Sequence, residues 1–525
     1  MSRTRLCLLS TVATFCVLAL APVLARADHG QVSLFQDDAY LIYSPTRTVD
    51  HTLATLRSLG VQRVRVNLKW STVAPAAQSR TRPGAFDDTN PAAYGASWAA
   101  YDRIVKLAQR HGIGVELNIT DPGPLWAMQS NSPTVRAADH YAPNAGAFFN
   151  FVRAVGTRYS GTYHGIPRVH VWSIWNEPNQ PGWLAPQSRR YAGKEVPNSP
   201  RLYRQYVEAG YEGLLLTSHS TSRDTILVGE LAPEGYSTPG FYTAITPMPF
   251  MRALYCLDDH YRRLTGTPAR ALDCPTGGSR QAFVKANPGL FQATGFGHHP
   301  YFFTAAPGVS SSNQSFAPIA NLGRLERGLD SAFGAYGVQR RIPLYLTEYG
   351  YQTKPPDPYQ KVSPAEQAAY LNQADYMAWR DPRVREMSQF LLYDSPPDPR
   401  FRPSQFGYWD GFQMGLLYAS GARKPAYDAY RMPIWIPSPQ SRRGARTFIW
   451  GQLRAANPLR GAQRAEVQWR APGGRFRTIA TVATCTRTCY LTASVRLPGT
   501  GTVQIAWRSR GGLVLVSRSV GVKVR

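Results

Sequence analysis

Two glutamates stand where apolar strand patterns break into loops. Val171-Trp-Ser-Ile-Trp-Asn-Glu-Pro178 runs out at Glu177, and Leu344-Tyr-Leu-Thr-Glu-Tyr-Gly350 runs out at Glu348. A carboxylate placed there is costly to desolvate unless it has a partner or a task. Two carboxylates facing one cavity are what cleavage of a glycosidic bond requires. One gives a proton to the leaving oxygen, and the other attacks or stabilises the oxocarbenium-like carbon. Asn-Glu-Pro alone would pass as a buried turn; the second strand-terminal glutamate is what favours catalysis. The sequence holds neither a Gly-x-Ser-x-Gly elbow nor a His-Glu-x-x-His helix, which argues against esterase and metalloprotease chemistry.

These two strands belong to a longer alternation of β-branched runs and helical patterns from Gln31 to Tyr430. Strands are expected at Gln31–Phe35, Val61–Trp70, Gly112–Ile119, Arg168–Trp175, Thr225–Leu231, Gly295–His299, Pro343–Thr347 and Gln389–Tyr393, with helices between them. Eight such repeats predict an α/β fold, a closed (β/α)8 barrel, whose active site lies at the C-terminal ends of the strands. No Gly-x-Gly-x-x-Gly follows the first strand, so a dinucleotide-binding sheet is not expected. The proline-rich stretch 433–440 reads as a linker. Beyond it, six short alternating runs with Gly-rich turns predict a small antiparallel β-sandwich over 441–525.

The ends of the chain add a compartment. Residues 1–27 combine a basic start, an apolar run from Leu6 to Ala25 and Ala25-Arg26-Ala27, the layout of a cleaved signal peptide. The catalytic barrel is therefore expected over 28–432 of a secreted protein. After loss of Cys7 and Cys16, four cysteines remain, and Cys256 with Cys274 and Cys485 with Cys489 are expected as local disulfides. The net charge is +26, and from Ser441 onward sixteen Lys and Arg face the single acid Glu466. Such a domain would attract an acidic cell-wall polymer, or else the charge is a solvated sheet surface. No nucleic-acid motif accompanies it, so nucleic acid is not an expected partner.

Trp175-Asn176-Glu177-Pro178 and Thr347-Glu348-Tyr349-Gly350 resemble the catalytic segments of glycoside hydrolase clan A, nearest its family five and family thirty-nine branches. The resemblance covers about Val32 to Tyr430. It implies that Glu177 is the acid/base, Glu348 the nucleophile and Asn176 a ligand of the sugar 2-hydroxyl. Arg65 resembles the clan arginine that steers the nucleophile. His299-Pro300-Tyr301 resembles the His-x-Tyr segment whose tyrosine hydrogen-bonds the nucleophile. Many relatives floor the sugar site with a tryptophan on strand eight; here the segment is Phe390-Leu-Leu-Tyr-Asp394, and Tyr393 or Trp409 is the candidate replacement. A β-linked glucan, mannan or xylan cleaved with retention, without cofactor or metal, is what the resemblance implies.

Plainer readings stand beside several of these residues. Arg65 is also a fitting ion-pair partner inside a barrel. His299 serves equally as a hydrogen-bonded core histidine, and His298 beside it faces the opposite way on a strand, which argues against a metal site. Glu230, Glu234 and Asp121 either line the cleft or satisfy loop amides, and the second is the favoured expectation. Of Trp70, Trp126 and Trp183, at least one is expected to stack on a sugar ring, Trp126 being a candidate ligand, and the others to pack. Two alternatives share the cleft: a non-catalytic carbohydrate- or wall-binding protein, and a transglycosylase. A monomer is expected.

Overall fold

The computed structural model describes residues 30–303, 305–457, 461–484, 488–509 and 511–525. The expected signal peptide lies outside the described residues. Eight parallel strands close into a barrel: β1 (Val32–Gln36), β2 (Arg63–Lys69), β3 (Gly114–Thr120), β4 (Val171–Ile174), β5 (Thr225–Leu231), β6 (Gly295–His298), β7 (Leu344–Leu346) and β8 (Val384–Phe390). Each pairs with its neighbours in chain order, and β1 closes on β8 from Val32↔Glu386 to Gln36↔Phe390. Helices intervene because apolar residues recur at helical spacing: Thr46–Leu59 buries Val49, Leu53, Leu56 and Leu59 against the barrel. That helix ends at Gly60, whose φ of 84° an L side chain resists.

The eighth strand corrects the sequence reading. It spans Val384–Phe390, not Gln389–Tyr393, so Tyr393 follows the strand. The cause is a polar interior. Glu386 points into the barrel, fully buried, and pairs with the partly buried Arg63 at 2.5 Å. Glu116 lies 3.4 Å from Arg65 in the same layer. A strand carrying Arg385, Glu386, Ser388 and Gln389 does not show the apolar run expected of a barrel strand.

The C-terminal unit has two sheets. One holds Ile434–Trp435, Arg446–Gln452 and Tyr490–Arg496; the other holds Gln440–Ser441, Gln463–Arg470, Arg477–Thr484, Gly501–Arg508, Val514–Val516 and Val520–Val524. Their facing sides bury Ile449, Val467, Leu491, Val503, Ile505 and Trp507 in a core of their own. The 433–440 stretch is not a free linker: Ile434 and Trp435 pair with Gly451 and Trp450, and Ile434 and Ile436 are buried in that core. Alternating Pro and apolar residues hid an edge strand.

The two units are fastened together. Trp450 packs with Tyr376 and Trp379 of the helix Pro364–Arg380 and with Tyr490. Arg454 pairs with Asp375 at 3.0 Å, donates to the Tyr430 carbonyl at 2.7 Å and lies over its ring. Asn457 donates to the Gly60 carbonyl at 2.9 Å and Tyr490 to Gln31 at 3.0 Å. Cys256 and Cys274 form a disulfide across a loop of the barrel half. The second expected pair includes Cys485, outside the described residues. No helix among the described residues is long and apolar enough to cross a membrane.

Candidate active site

The C-terminal ends of the strands converge on one guanidinium. Arg65, on β2, is wholly buried. Its Nη1 donates to Glu348 Oε1 at 2.7 Å and to Gln36 Oε1 at 2.6 Å. Its Nη2 donates to Asn176 Oδ1 and Glu230 Oε2, each at 2.8 Å. The planar fork thus ties the ends of β1, β2, β4, β5 and β7 into one plane of contacts. Burial works against the charge, but Glu230, Glu348, Glu116 and Asp38 outweigh it and hold Arg65 firmly protonated.

Glu177 and Asn176 leave β4 in a tight turn. Trp175 and Glu177 adopt φ of 71° and 36°, in the left-handed region. The Asn176 N–H donates to Thr120 Oγ1 at 3.1 Å and the Glu177 N–H to the Glu230 carbonyl at 3.0 Å, so both neighbouring strands fix the turn. Trp175 is the anchor beneath, stacked on Tyr206 with ring centroids 4.7 Å apart.

His299 lies between the carboxylates. Its Nδ1 is 2.8 Å from Glu177 Oε1 and 3.6 Å from Glu348 Oε2, and its Nε2 is 3.1 Å from Glu230 Oε2. Glu230 is held as a carboxylate and can only accept, so Nε2 carries hydrogen; with Nδ1 also facing two acidic groups, the ring is favoured as an imidazolium. Burial opposes that charge, but Glu348, Glu177 and Glu230 prevail and raise His299 to about 10. His298 faces the other way, bonded to the Ala317 carbonyl at 2.6 Å, and burial pulls it down to about 4. Tyr301 donates to Glu348 Oε2 at 3.2 Å. Burial first, then Glu348, lifts its hydroxyl well above the usual range, so it stays a donor.

A cavity of about 440 Å³ opens above this cluster. Glu177, Glu348, Asn176 and Tyr301 form its base. Its walls include Gln36, Asp37, Asp38 and Lys69 on one side and Trp183, Glu234, Phe303 and Phe412 on others. Tyr393 also lines it, stacked on Tyr40 at 4.2 Å, with its N–H and that of Leu392 held by Asp37. Burial raises Asp37 to about 7 against those backbone donors.

Of the residues singled out in the sequence, the structure brings Glu177, Glu348, Asn176, Arg65, His299 and Tyr301 into one cluster and Tyr393 to its wall. It places Trp126 and Trp409 elsewhere. Trp126 donates to the Pro75 carbonyl and packs edge-on against Trp70 and Phe86. Trp409 donates to the Pro403 carbonyl and lies against Tyr408. Neither lines the cavity, whereas Trp183 does.

Glu230 is the residue the sequence reading misplaced. Its carboxylate satisfies no loop amide; Oε2 gathers Arg65, His299 and the Thr347 hydroxyl, the last at 2.8 Å. Arg65 and the two hydrogen-bond donors hold it below the usual carboxylate range despite burial. The signal was available, since Gly229-Glu230 ends β5 as Glu177 and Glu348 follow β4 and β7. Glu177, His299 and Glu348 also form the one group among the described residues with ligand atoms mutually within 4.8 Å.

No family model matches the chain, and no curated protein matches it. Solved structures similar to it include a β-glucuronidase from Bacteroides uniformis, 10% identical with a TM-score of 0.42, covering 94% of this chain; the chain spans only 46% of that protein. A glucosidase from Croceicoccus marinus is 12% identical over 94% of this chain and 96% of its own, with a TM-score of 0.46. An endo-β-1,4-mannanase from Thermotoga petrophila is 12% identical over 94% and 97%, with a TM-score of 0.40. At these values the likeness carries no weight for function, which rests on the chain's own side chains.

Proposed function

We propose that this chain is a secreted retaining glycosidase that hydrolyses a β-linked glycan by double displacement. The observation that carries the reading is the pair Glu177 and Glu348, lining one cavity with an oxygen of one carboxyl group within 4.8 Å of an oxygen of the other. Retaining enzymes hold their carboxyl groups about 5–5.5 Å apart, whereas inverting enzymes leave about 6.5–9.5 Å for a water. Glu348, oriented by Arg65 and Tyr301, attacks the anomeric carbon as Glu177 protonates the departing oxygen. Glu177 then takes a proton from water, whose oxygen displaces Glu348. Asn176, pinned by Arg65 and Thr120, binds a sugar hydroxyl in this scheme. The Cys256–Cys274 disulfide supports an oxidising compartment.

The test is hydrolysis of a panel of aryl β-glycosides and polymeric glucans, mannans and xylans by the wild type, Glu177→Gln and Glu348→Gln. Turnover by the wild type and its loss in both variants is expected. Binding without turnover by the wild type would favour a lectin; transfer to sugar acceptors in place of water would favour a transglycosylase.

One corner of the sandwich supports an acidic polysaccharide as a second partner. Arg446 and Arg496 are exposed and directly opposite each other across paired strands, an arrangement that like charges destabilise. Backbone pairing brings Arg442, Arg443, Lys523 and Arg525 to the same corner, through Arg443 to Arg525 and Gln440 beside Lys523. Exposed Phe448 lies on the Arg446 face, an apolar surface suited to a sugar ring.

A further inference from the structure

We propose that Glu230 is a positioning residue for the acid/base: by anchoring Nε2 of His299, it keeps the opposite ring N–H between Glu177 and Glu348 to serve whichever carboxylate is charged. The proposal rests on the reading of those two glutamates given above.

The charge moves during the reaction. When Glu348 forms its bond to the anomeric carbon, the bond to the leaving oxygen breaks and that oxygen takes the proton of Glu177. Glu348 is then a neutral ester and Glu177 a carboxylate. In the second half, Glu177 takes a proton from water, the water oxygen bonds to the anomeric carbon, and the ester bond breaks to restore the Glu348 carboxylate. One negative charge has crossed from Glu348 to Glu177 and back. The Nδ1–H of His299, 2.8 Å from one and 3.6 Å from the other, stands on that path. A fixed donor aimed at developing charge needs no reorganisation at the moment of reaction. His299 gives up no proton in this scheme.

Three features of Glu230 are unnecessary for packing alone. Its backbone takes φ of 48° where β5 slips register against β6 between Gly229 and Leu231. A bulge of this kind re-aims a side chain, here into the barrel. Gly297 on the facing strand leaves the room: a Cβ there would lie 1.9 Å from Glu230 Oε1. The main chain of the same residue holds the acid/base, its carbonyl accepting the Glu177 N–H at 3.0 Å. Glu230 therefore grips the backbone of Glu177 and, through His299, its carboxylate.

The groups around His299 leave Glu230 with a definite share. Arg65 on β2 opposes its positive charge, while His298 on β6, pulled down to about 4 by burial, is neutral. Glu348 after β7, Glu177 after β4 and Glu230 on β5 favour it; Tyr301 stays neutral, and Glu116 and Glu386 further down the barrel are matched with Arg65 and Arg63. Glu177 and Glu348 alternate in charge through the cycle. Glu230 is the one carboxylate touching the ring that takes no part in bond making, so it is the constant counter-ion.

The test is a ¹⁵N-histidine NMR titration of the full chain, with His299→Asn used to assign the ring, on the wild type, Glu230→Gln and Thr347→Val. In the wild type both ring N–H groups of His299 are expected at neutral pH. In Glu230→Gln the ring is expected to titrate at least about one pH unit lower. Thr347→Val, which strips a different hydrogen bond from the same carboxylate, is expected to leave the titration in place. In the same variants, Glu230→Gln should lower kcat by up to roughly 100-fold, the low end of the cost of losing a preorganised donor outright, because His299 itself remains, with KM little changed. Its alkaline limb should move down in pH. A wild-type ring carrying a single N–H at neutral pH overturns the proposal even if Glu230→Gln fails to fold, and so does an unmoved titration in that variant. A ring that behaves as expected in a protein that hydrolyses no glycoside would leave Glu230 as anchor of His299 and refute the glycosidase reading, with it the catalytic half of this proposal.

Discussion

Replacing Arg65 by Met should cost stability in a way that depends on pH. The guanidinium lies 2.7 Å from Glu348, 2.8 Å from Glu230 and 3.4 Å from Glu116, with all of these side chains buried or nearly so. Removing one member of a buried ion cluster costs about 3–5 kcal/mol, because charge is left without a partner. His299 still offsets part of the loss at Glu230 and Glu348, so about 3 kcal/mol is expected at pH 8. Glu230 is held below the usual carboxylate range mainly by Arg65. Its contribution is present above its unfolded value, near 4.3, and lost as pH falls through its lower folded value. Arg65→Met lacks that contribution, and its stranded carboxyls take up protons as the solution is acidified. The deficit relative to wild type should therefore narrow between pH 8 and pH 5. Urea unfolding followed by tryptophan fluorescence at both pH values measures it. A deficit under about 1 kcal/mol at pH 8, or one that widens on acidification, would refute the claim that Arg65 is the principal counter-ion of this layer.

Other outcomes follow from single contacts. Gly297→Ala should expel the Glu230 carboxylate, because the new methyl would sit 1.9 Å from Oε1; kcat should drop while circular dichroism keeps a folded barrel. Glu116 is raised to about 8 by burial and by Glu386 and Glu230. It adds stability at low pH that disappears as pH rises from the ordinary carboxylate value toward 8, so Glu116→Gln should flatten the fall in melting temperature between pH 6 and 9. Lys424 is buried on Asp394 at 2.7 Å; Lys424→Met should lower unfolding free energy by about 3–5 kcal/mol. Arg446→Ser with Arg496→Ser should weaken binding of polygalacturonate several-fold and reduce its salt dependence, measured by calorimetry at two ionic strengths.

The barrel was legible because β-branched or alternating apolar patterns bounded by turn residues mark its strands other than the eighth, as in Arg63-Val-Arg-Val-Asn-Leu-Lys69. The eighth was not, because the barrel's lower layer is ionic and its strand must bring Glu386 to Arg63. Glu177 and Glu348 stood out as charges at the ends of apolar strands. Glu230 carried the same mark and was assigned to loop amides, since nothing in a linear pattern distinguishes a side chain turned inward by a bulge from one turned outward. Trp126, Trp183 and Trp409 are equivalent as letters. Only the fold decides which indole meets the cavity and which fills a gap between helices. Asp37, whose carboxylate joins the end of β1 to the segment after β8, became visible only once the barrel was closed.

The seam between the two units has a consequence for reach. Its contacts, Asn457 to Gly60 and Tyr490 to Gln31, meet the chain just before β2 and β1 begin. The carboxylates lie beyond the opposite ends of the strands. Seven residues of strand span about 23 Å, so the sandwich docks on the far pole of the barrel from the mouth. A filament gripped by the sandwich would not be handed along to the catalytic end. The molecule would stand on it like a lamp on its base, with the opening turned outward to whatever chains pass within range.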